Sequence, residues 1–459
     1  MSNSGDRLSL CVIGLGKLGS PMAAVFAAKG FSVIGVDLNP AYVGAINAGR
    51  APVAEPELQA YIDAGRPRLR ATTSVEEAVA ASDASFIIVP TPSGPDHTFS
   101  NQFVLDAVTR IGQALRRSDA GHLVIVTSTV MPGSTGGVIR RALEESSGRL
   151  VGRDVGLCYS PEFIALGSVV RDLLNPDMVL IGESDAAYGD QLEQIYRAST
   201  ESNPVVCRMN FVNAEICKIA VNTFVTTKIS YANMLAELCD RLEGADVDAI
   251  AHALGADSRI GRKYLTGGVA YGGPCFPRDN KAFAALARRL GVRCDLAEAT
   301  DRINDHQVHR LLGAVQATTR RGGCVAVLGM AYKPNTPVAE HSQGVALARA
   351  LAGEGYRVVI ADPLAAATAR AALTVPVETA RTFAEAVATA DTVVVTTPWP
   401  EIRDLPIQPF SRPDGALPVI DPWGLLAGSP IADVARVVTL GRGGRRAVQE
   451  SVAQAAAPR

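Results

Sequence analysis

What this chain lacks narrows its class before any motif is read. Its eight cysteines include no Cys-x-x-Cys pair, and none has a histidine beside it at zinc-ligand spacing, which argues against a thiolate metal centre. Scattered thiols in a chain of 459 residues, long enough to need no staples, read as the reduced cysteines of a cytoplasmic protein. An excess of either charge is also missing: 44 basic and 46 acidic residues leave a net charge of −2, so nothing advertises nucleic acid or an anionic membrane as partner. No apolar run approaches the ~20 residues of a membrane span, and the opening MSNSGDRLSL carries no basic-then-apolar leader. Aromatic residues are only 5% of the chain against 47% hydrophobic residues in all, which predicts a core of small aliphatics. Lysine is scarcest among the cations, with 37 Arg against seven Lys, at 17, 29, 218, 228, 263, 281 and 333. Arginine cannot imitate a compact, deprotonatable ammonium, so each lysine carries more information than usual.

What is present is α/β patterning, twice. Leu8 to Ile13 is a short apolar run, a glycine turn follows, Pro21 to Lys29 reads as helix, and Phe31 to Val36 is a second strand ending at Asp37. Apolar runs at Ala84 to Val89 and Leu123 to Val126, each after a helical stretch, extend a parallel sheet, with later strands near Val155 to Cys158 and Met178 to Ile181. Asn210 to Leu242 has neither Gly nor Pro and reads as one long helix. A second α/β pattern runs from Cys324 to Ile420, with Gly329-Met-Ala-Tyr-Lys333-Pro in place of the first glycine turn. The fold expected is therefore two Rossmann-like, doubly wound parallel-sheet domains joined by a long central helix. Residues 1–205 form the dinucleotide domain, 206–315 a helical central and dimerisation domain, 316–445 the second sheet, and 446–459 a frayed tail.

Three constellations could carry chemistry. In Gly14-Leu-Gly16-Lys-Leu-Gly19, set between a strand and a helix, the glycines permit a tight turn, close approach of a pyrophosphate and close helix packing. Asp37 would accept hydrogen bonds from the adenosine ribose and repel a 2′-phosphate, favouring NAD over NADP. On the long helix, Lys218 and Asn222 are four apart and share a face within an apolar stretch, where an ammonium is costly unless paired or open to a cleft. The third, Gly267-Gly-Val-Ala-Tyr271-Gly-Gly-Pro-Cys275-Phe-Pro-Arg-Asp279, delivers a thiol to a helix expected to start near Pro277, with Asp279 in its first turn. Such a thiol is biased toward thiolate and nucleophilicity. Thr129 and Glu162 follow strands and would lie at their carboxyl ends, where doubly wound sheets bind ligands, although each equally suits a turn or cap. His306 and His309, three apart, lack an acidic partner at metal-ligand spacing.

Together the NAD turn, Ser128-Thr129-Val-Met-Pro132-Gly133, Pro161-Glu162-Phe163, Lys218-x-x-x-Asn222 and Gly-Gly-Pro-Cys275-Phe-Pro-Arg-Asp279 resemble the nucleotide-sugar 6-dehydrogenase family, in the family's order, over residues 8 to 430. The resemblance implies a four-electron oxidation of a sugar CH2OH to a carboxylate with two NAD+, through a thioester on Cys275. It implies that Lys218 and Asn222 stabilise oxyanions, with Lys218 a candidate for the first base, and that Asp279 and Glu162 with a water near Thr129 handle protons and hydrolysis. Lys17, Leu18, Thr91, Pro92, Thr129 and Arg278 join the glycines and Asp37 as cofactor-binding positions. Phe163, Tyr264, Leu265, Tyr271, Gly272 and Lys333 join Glu162, Lys218 and Asn222 on the sugar nucleotide, and Arg259 reaches it in a neighbouring subunit, so at least a homodimer is implied. The chain departs from the family pattern at Pro334-Asn-Thr-Pro337-Val-Ala-Glu340-His341, which lacks the usual arginine, at Asp421-Pro422-Trp423, at Arg278 in place of lysine, and at the Ile-Ala-Leu after Phe163. UDP-glucose is the substrate expected first, with GDP-mannose and UDP-N-acetylhexosamines open alternatives. A two-electron β-hydroxyacid-type dehydrogenase and a non-catalytic NAD-binding regulator are the readings from other classes.

Overall fold

The computed structural model describes residues 8–118, 120–413 and 415–443; the tail read as frayed lies outside them. Two compact units divide at Ala220 and Val221, inside the long helix.

The strands of the first unit are β1 Ser9–Ile13, β2 Ser32–Val36, β3 Leu69–Thr72, β4 Ala84–Ile87, β5 Leu123–Val126, β6 Gly156–Tyr159, β7 Met178–Glu183 and β8 Val205–Met209. They form one sheet in the order β3-β2-β1-β4-β5-β6-β7-β8. β1, β4, β5 and β6 are almost wholly buried, because helices cover both faces; the apolar runs are continuous for that reason instead of alternating. Strand order reverses at β1, between β2 and β4, and doubly wound sheets bind ligands at such a point, beyond the carboxyl ends of the strands.

The sheet is parallel through β6, but not beyond. β7 runs antiparallel to β6, with Cys158 opposite Glu183 and Tyr159 opposite Gly182, and β8 pairs parallel to β7. The cause is the connection: after Tyr159 the chain makes the Ser160 to Gly167 loop and a six-residue helix, Val169–Leu174, instead of a full crossover. The Glu55 carboxylate pins that segment by accepting from Gly167 N at 2.9 Å and Val169 N at 2.8 Å.

In the second unit the strands are β9 Cys324–Leu328, β10 Arg357–Ala361, β11 Glu378–Thr379, β12 Thr392–Val395, β13 Pro418–Ile420 and β14 Arg436–Val438. Their order is β11-β10-β9-β12-β13-β14, parallel throughout. One apolar cluster built on Val325, Val327, Val358, Ile360, Val393 and Val395 fills this sheet's two faces. The long helix is observed as Phe211–Asp240, 30 residues, about 45 Å at 1.5 Å per residue. Helices Val247–Ala256, Phe276–Arg289 and Asp295–Gln316 follow it before the second sheet begins.

Candidate functional site

In the first unit the turn after β1 meets the first helix, Gly19–Ala28. Gly14 has φ +98°, and a Cβ on it would lie 2.0 Å from Ile88 O; a Cβ on Gly19 would lie 1.7 Å from Gly14 O. At Gly16 a Cβ would meet no atom within 4 Å. Two glycines are therefore demanded by packing, and the third leaves room at the helix N-terminus for a pyrophosphate, so the residues present fit a dinucleotide. The Asp37 carboxylate accepts from Leu15 N at 2.7 Å and Asn39 N at 2.8 Å, fastening the turn to the end of β2. Leu18 is half-buried beside it, whereas Lys17 and Pro92 are exposed.

The ends of β4 and β5 are stitched by Ser128, whose hydroxyl accepts from Val89 N at 2.9 Å and donates to Val89 O at 2.8 Å. Thr91 is buried and donates to Thr129 O at 2.8 Å. Glu215, fully buried on the long helix, accepts from Gly133 N at 2.6 Å and Thr135 N at 2.7 Å. Burial raises its carboxyl affinity for a proton, and those hydrogen bonds oppose the rise. Lys218 is buried one turn later, its ammonium donating to Glu162 O at 2.6 Å and lying 4.5 Å from the centre of the Phe163 ring. Three residues picked from sequence are thus brought together. The Glu162 carboxylate accepts from Tyr196 Oη at 2.9 Å, and burial pushes its carboxyl up to about 7 against the opposing pull of Tyr196 and Lys218. Sequence reasoning missed Tyr196, 34 residues from Glu162 on helix Ala186–Ser199, and Glu215. For Glu215 the signal existed: a carboxylate in the same apolar stretch that singled out Lys218.

In the second unit Cys275 is exposed, immediately ahead of helix Phe276–Arg289. Asp279 N donates to Cys275 O at 2.8 Å, closing the first turn. The buried Asp279 carboxylate accepts from Asn222 Nδ2 at 2.6 Å and from Arg278 Nε at 3.1 Å, so Arg278, expected at the cofactor, is engaged with its neighbour. The glycine loop rests on the start of the second sheet. Gly273, at φ +82°, packs where a Cβ would come within 2.6 Å of the Tyr332 ring, and its N–H donates to Glu340 O at 3.0 Å. Tyr271 and Gly272 are buried in the base of the loop. Asn304 brackets the Tyr271 backbone at 2.8 and 3.1 Å, and the Tyr271 hydroxyl donates to Asp301 at 2.7 Å.

Phe276 stands edge-on to both Tyr264 and Tyr271, at 6.2 and 6.3 Å between ring centres. Leu265 is a core residue packed with Ala232 and Ala251. Arg259 is exposed and paired with Asp257 at 2.6 Å. Lys228 donates to Ile260 O at 3.1 Å and Gly261 O at 3.0 Å and so fixes the loop that follows Arg259. Lys333 lies 5.9 Å from the centre of the Tyr332 ring. At the end of β10, Asp362 accepts from Met330 N, Ala331 N, Leu364 N, Ala365 N and Trp399 Nε1. The acid that mirrors Asp37 in the second sheet is thereby committed to structure. Among the described residues no group of three His, Cys, Asp or Glu is placed to hold a metal, and no helix is long and apolar enough to cross a membrane.

Models of the UDP-glucose/GDP-mannose dehydrogenase family match three successive segments: the NAD binding domain over residues 8–200, the central domain over 212–306 and the UDP binding domain over 326–427. The chain is 38% identical over 404 residues to a UDP-glucose 6-dehydrogenase of Haloferax volcanii, spanning 87% of this chain and 93% of that one. It is 33% identical over 359 residues to a GDP-mannose 6-dehydrogenase of Pseudomonas putida, spanning 77% and 81%. The solved UDP-glucose dehydrogenase of Pyrobaculum islandicum matches with a TM-score of 0.86 at 34% identity, over 97% of this chain and 100% of that one.

Proposed function

The chain belongs to the UDP-glucose/GDP-mannose dehydrogenase family of NAD-dependent nucleotide-sugar dehydrogenases, and from that premise we propose that it oxidises the C6 hydroxymethyl of UDP-glucose to the carboxylate of UDP-glucuronate. Per sugar, CH2OH, two NAD+ and one water give a carboxylate, two NADH and three protons. The observation that carries the chemistry is Cys275, exposed at the head of a helix whose first turn holds Asp279 bonded to Asn222. The longer and higher identity to a UDP-glucose enzyme than to a GDP-mannose enzyme supports the choice of sugar.

The turn around Gly16, with Asp37 for the ribose, would hold NAD+, which would supply the hydride acceptor for both oxidations. Lys218, oriented by the Glu162 carbonyl, is the cation for the C6 oxyanion and, when neutral, the base for its proton. Cys275 thiolate adds to the aldehyde, which is thereby retained as a thiohemiacetal. Its oxidation leaves a thioester on Cys275, with Lys218 and Asn222 stabilising oxygen charge on the way. Water beside Thr129 attacks the thioester carbon, Glu162 takes its proton, and the Cys275 thiolate departs. A carboxyl pushed up to about 7 suits that task, since it accepts a proton near neutral pH and releases it again. Asp279 holds Asn222 in place.

The test is NADH released per sugar at saturating cofactor, with UDP-glucose, GDP-mannose, UDP-N-acetylglucosamine and UDP-N-acetylmannosamine offered in parallel. Two NADH from UDP-glucose support the proposal; one NADH per sugar sinks it in favour of a two-electron dehydrogenase, and none at all in favour of a non-catalytic regulator. Cys275→Ala is expected to make no uronate, and Cys275→Ser to slow the second oxidation at least 100-fold.

A further inference from the structure

Two buried hydroxyls beside Glu162 are used by none of the steps above. Tyr196, on helix Ala186–Ser199, is 5% exposed, and its hydroxyl donates to Glu162 Oε1 at 2.9 Å. Ser160 is 1% exposed; its Oγ lies 2.9 Å from the same Tyr196 oxygen and 2.9 Å from Leu180 O. Four oxygens therefore form a chain from Glu162 through Tyr196 and Ser160 to Leu180, and the last is a carbonyl that can only accept.

Counting hydrogens along that chain shows two complete arrangements. With Glu162 ionised, Tyr196 donates to the carboxylate and Ser160 donates to Tyr196 or to Leu180 O. With Glu162 protonated, the carboxyl donates to Tyr196, Tyr196 to Ser160 and Ser160 to Leu180 O. When Glu162 gains its proton, turning the Tyr196 hydroxyl, and that of Ser160 where it donates to Tyr196, completes the change, and every hydrogen keeps an acceptor. Because the chain ends on a buried carbonyl it delivers no proton elsewhere; its effect stays on Glu162.

We infer that Tyr196, backed by Ser160, is a positioning residue that holds the Glu162 carboxyl satisfied in both protonation states and biases it toward the ionised one. The inference rests on the proposed role of Glu162. The bias follows because a hydrogen bond to a charged acceptor is stronger than one to its neutral form. Of the other groups facing the carboxylate, Lys218 on the long helix pulls in the same direction and burial opposes both. Cys158 on β6 faces Tyr196.

The test is the pH dependence of kcat with UDP-glucose for the wild type, Glu162→Gln, Tyr196→Phe and Ser160→Ala. The wild-type rate is expected to rise through about pH 7, and Glu162→Gln to lose that limb. Tyr196→Phe moves the limb up by about one pH unit, leaving it roughly tenfold slower than wild type at pH 6 and within about twofold at pH 9. Ser160→Ala moves it the same way by less. A Tyr196→Phe enzyme slowed equally at every pH overturns the inference while leaving Glu162 as base. Should that variant not fold, an unmoved limb in Ser160→Ala overturns it instead. A limb that survives in Glu162→Gln removes the reading of Glu162 and the inference together.

Discussion

The three glycines of the first turn look alike in sequence, yet their surroundings set different demands on them. Gly14→Ala places a Cβ 2.0 Å from Ile88 O at a φ of +98°, and Gly19→Ala places one 1.7 Å from Gly14 O. Both are expected to cost at least about 2 kcal/mol of stability, readable in a denaturant midpoint. Gly16→Ala meets nothing within 4 Å; it is expected to unfold within about 1 °C of wild type while the KM for NAD+ rises at least tenfold, because the methyl occupies space meant for phosphate. A normal KM in Gly16→Ala would remove that position from the cofactor site. The residues most legible in sequence were those whose type is out of place locally, such as Lys218 among Ile and Val. Tyr196 was not legible: an aromatic residue on an amphipathic helix reads as core, and only its oxygen, 2.9 Å from Glu162, says otherwise.

Elements were read from period and punctuation, and the long helix is the clearest case, for the absence of Gly and Pro fixes its span to within two residues at either end. One of its faces is left uncovered. Phe224, Tyr231 and Leu238 recur every seven residues and are 65%, 44% and 54% exposed, so they return to one side of the helix as an apolar seam. We propose that a second copy of the chain covers this seam and that Arg259, exposed on its loop, then reaches the sugar bound by its partner. Phe224→Glu with Leu238→Glu is expected to turn a dimer into a monomer by light scattering and to weaken association at least 100-fold. A wild-type protein that is monomeric and fully active at assay concentration ends this proposal. Edge strands fared worse in sequence. β3, β8, β11 and β14 are half-exposed or irregular in pattern, and the reversal at β7 depends on a loop held by Glu55, more than a hundred residues earlier.

At the scale of the whole molecule, Glu162 links activity to stability. Its proton affinity is raised in the folded state from the ordinary 4.5 to about 7, so the folded chain binds the extra proton between those values. The contribution of Glu162 to stability is therefore full below about pH 4.5 and is lost as pH rises through 7. Glu162→Gln escapes that loss: its stability relative to wild type is expected to be near zero at pH 4.5 and to grow to as much as about 3 kcal/mol at pH 8, measured as urea midpoints across pH. A difference that does not change with pH would show that the carboxyl is not perturbed. His122, buried against Ser85 and Ser82 O, works oppositely, since burial lowers it to about 4 and its contribution is lost as pH falls from 6.5. The sequence by itself determined the two sheets, the glycine turn, the long helix and the cysteine at a helix head, because each is a pattern of near neighbours governed by local sterics and periodicity. Only the tertiary structure decided which groups set the chemistry of Glu162, which glycine stands open to phosphate and where the sheet reverses. Those depend on oxygens and backbone atoms brought within 3 Å by segments far apart in the chain, and a linear pattern carries no record of that approach.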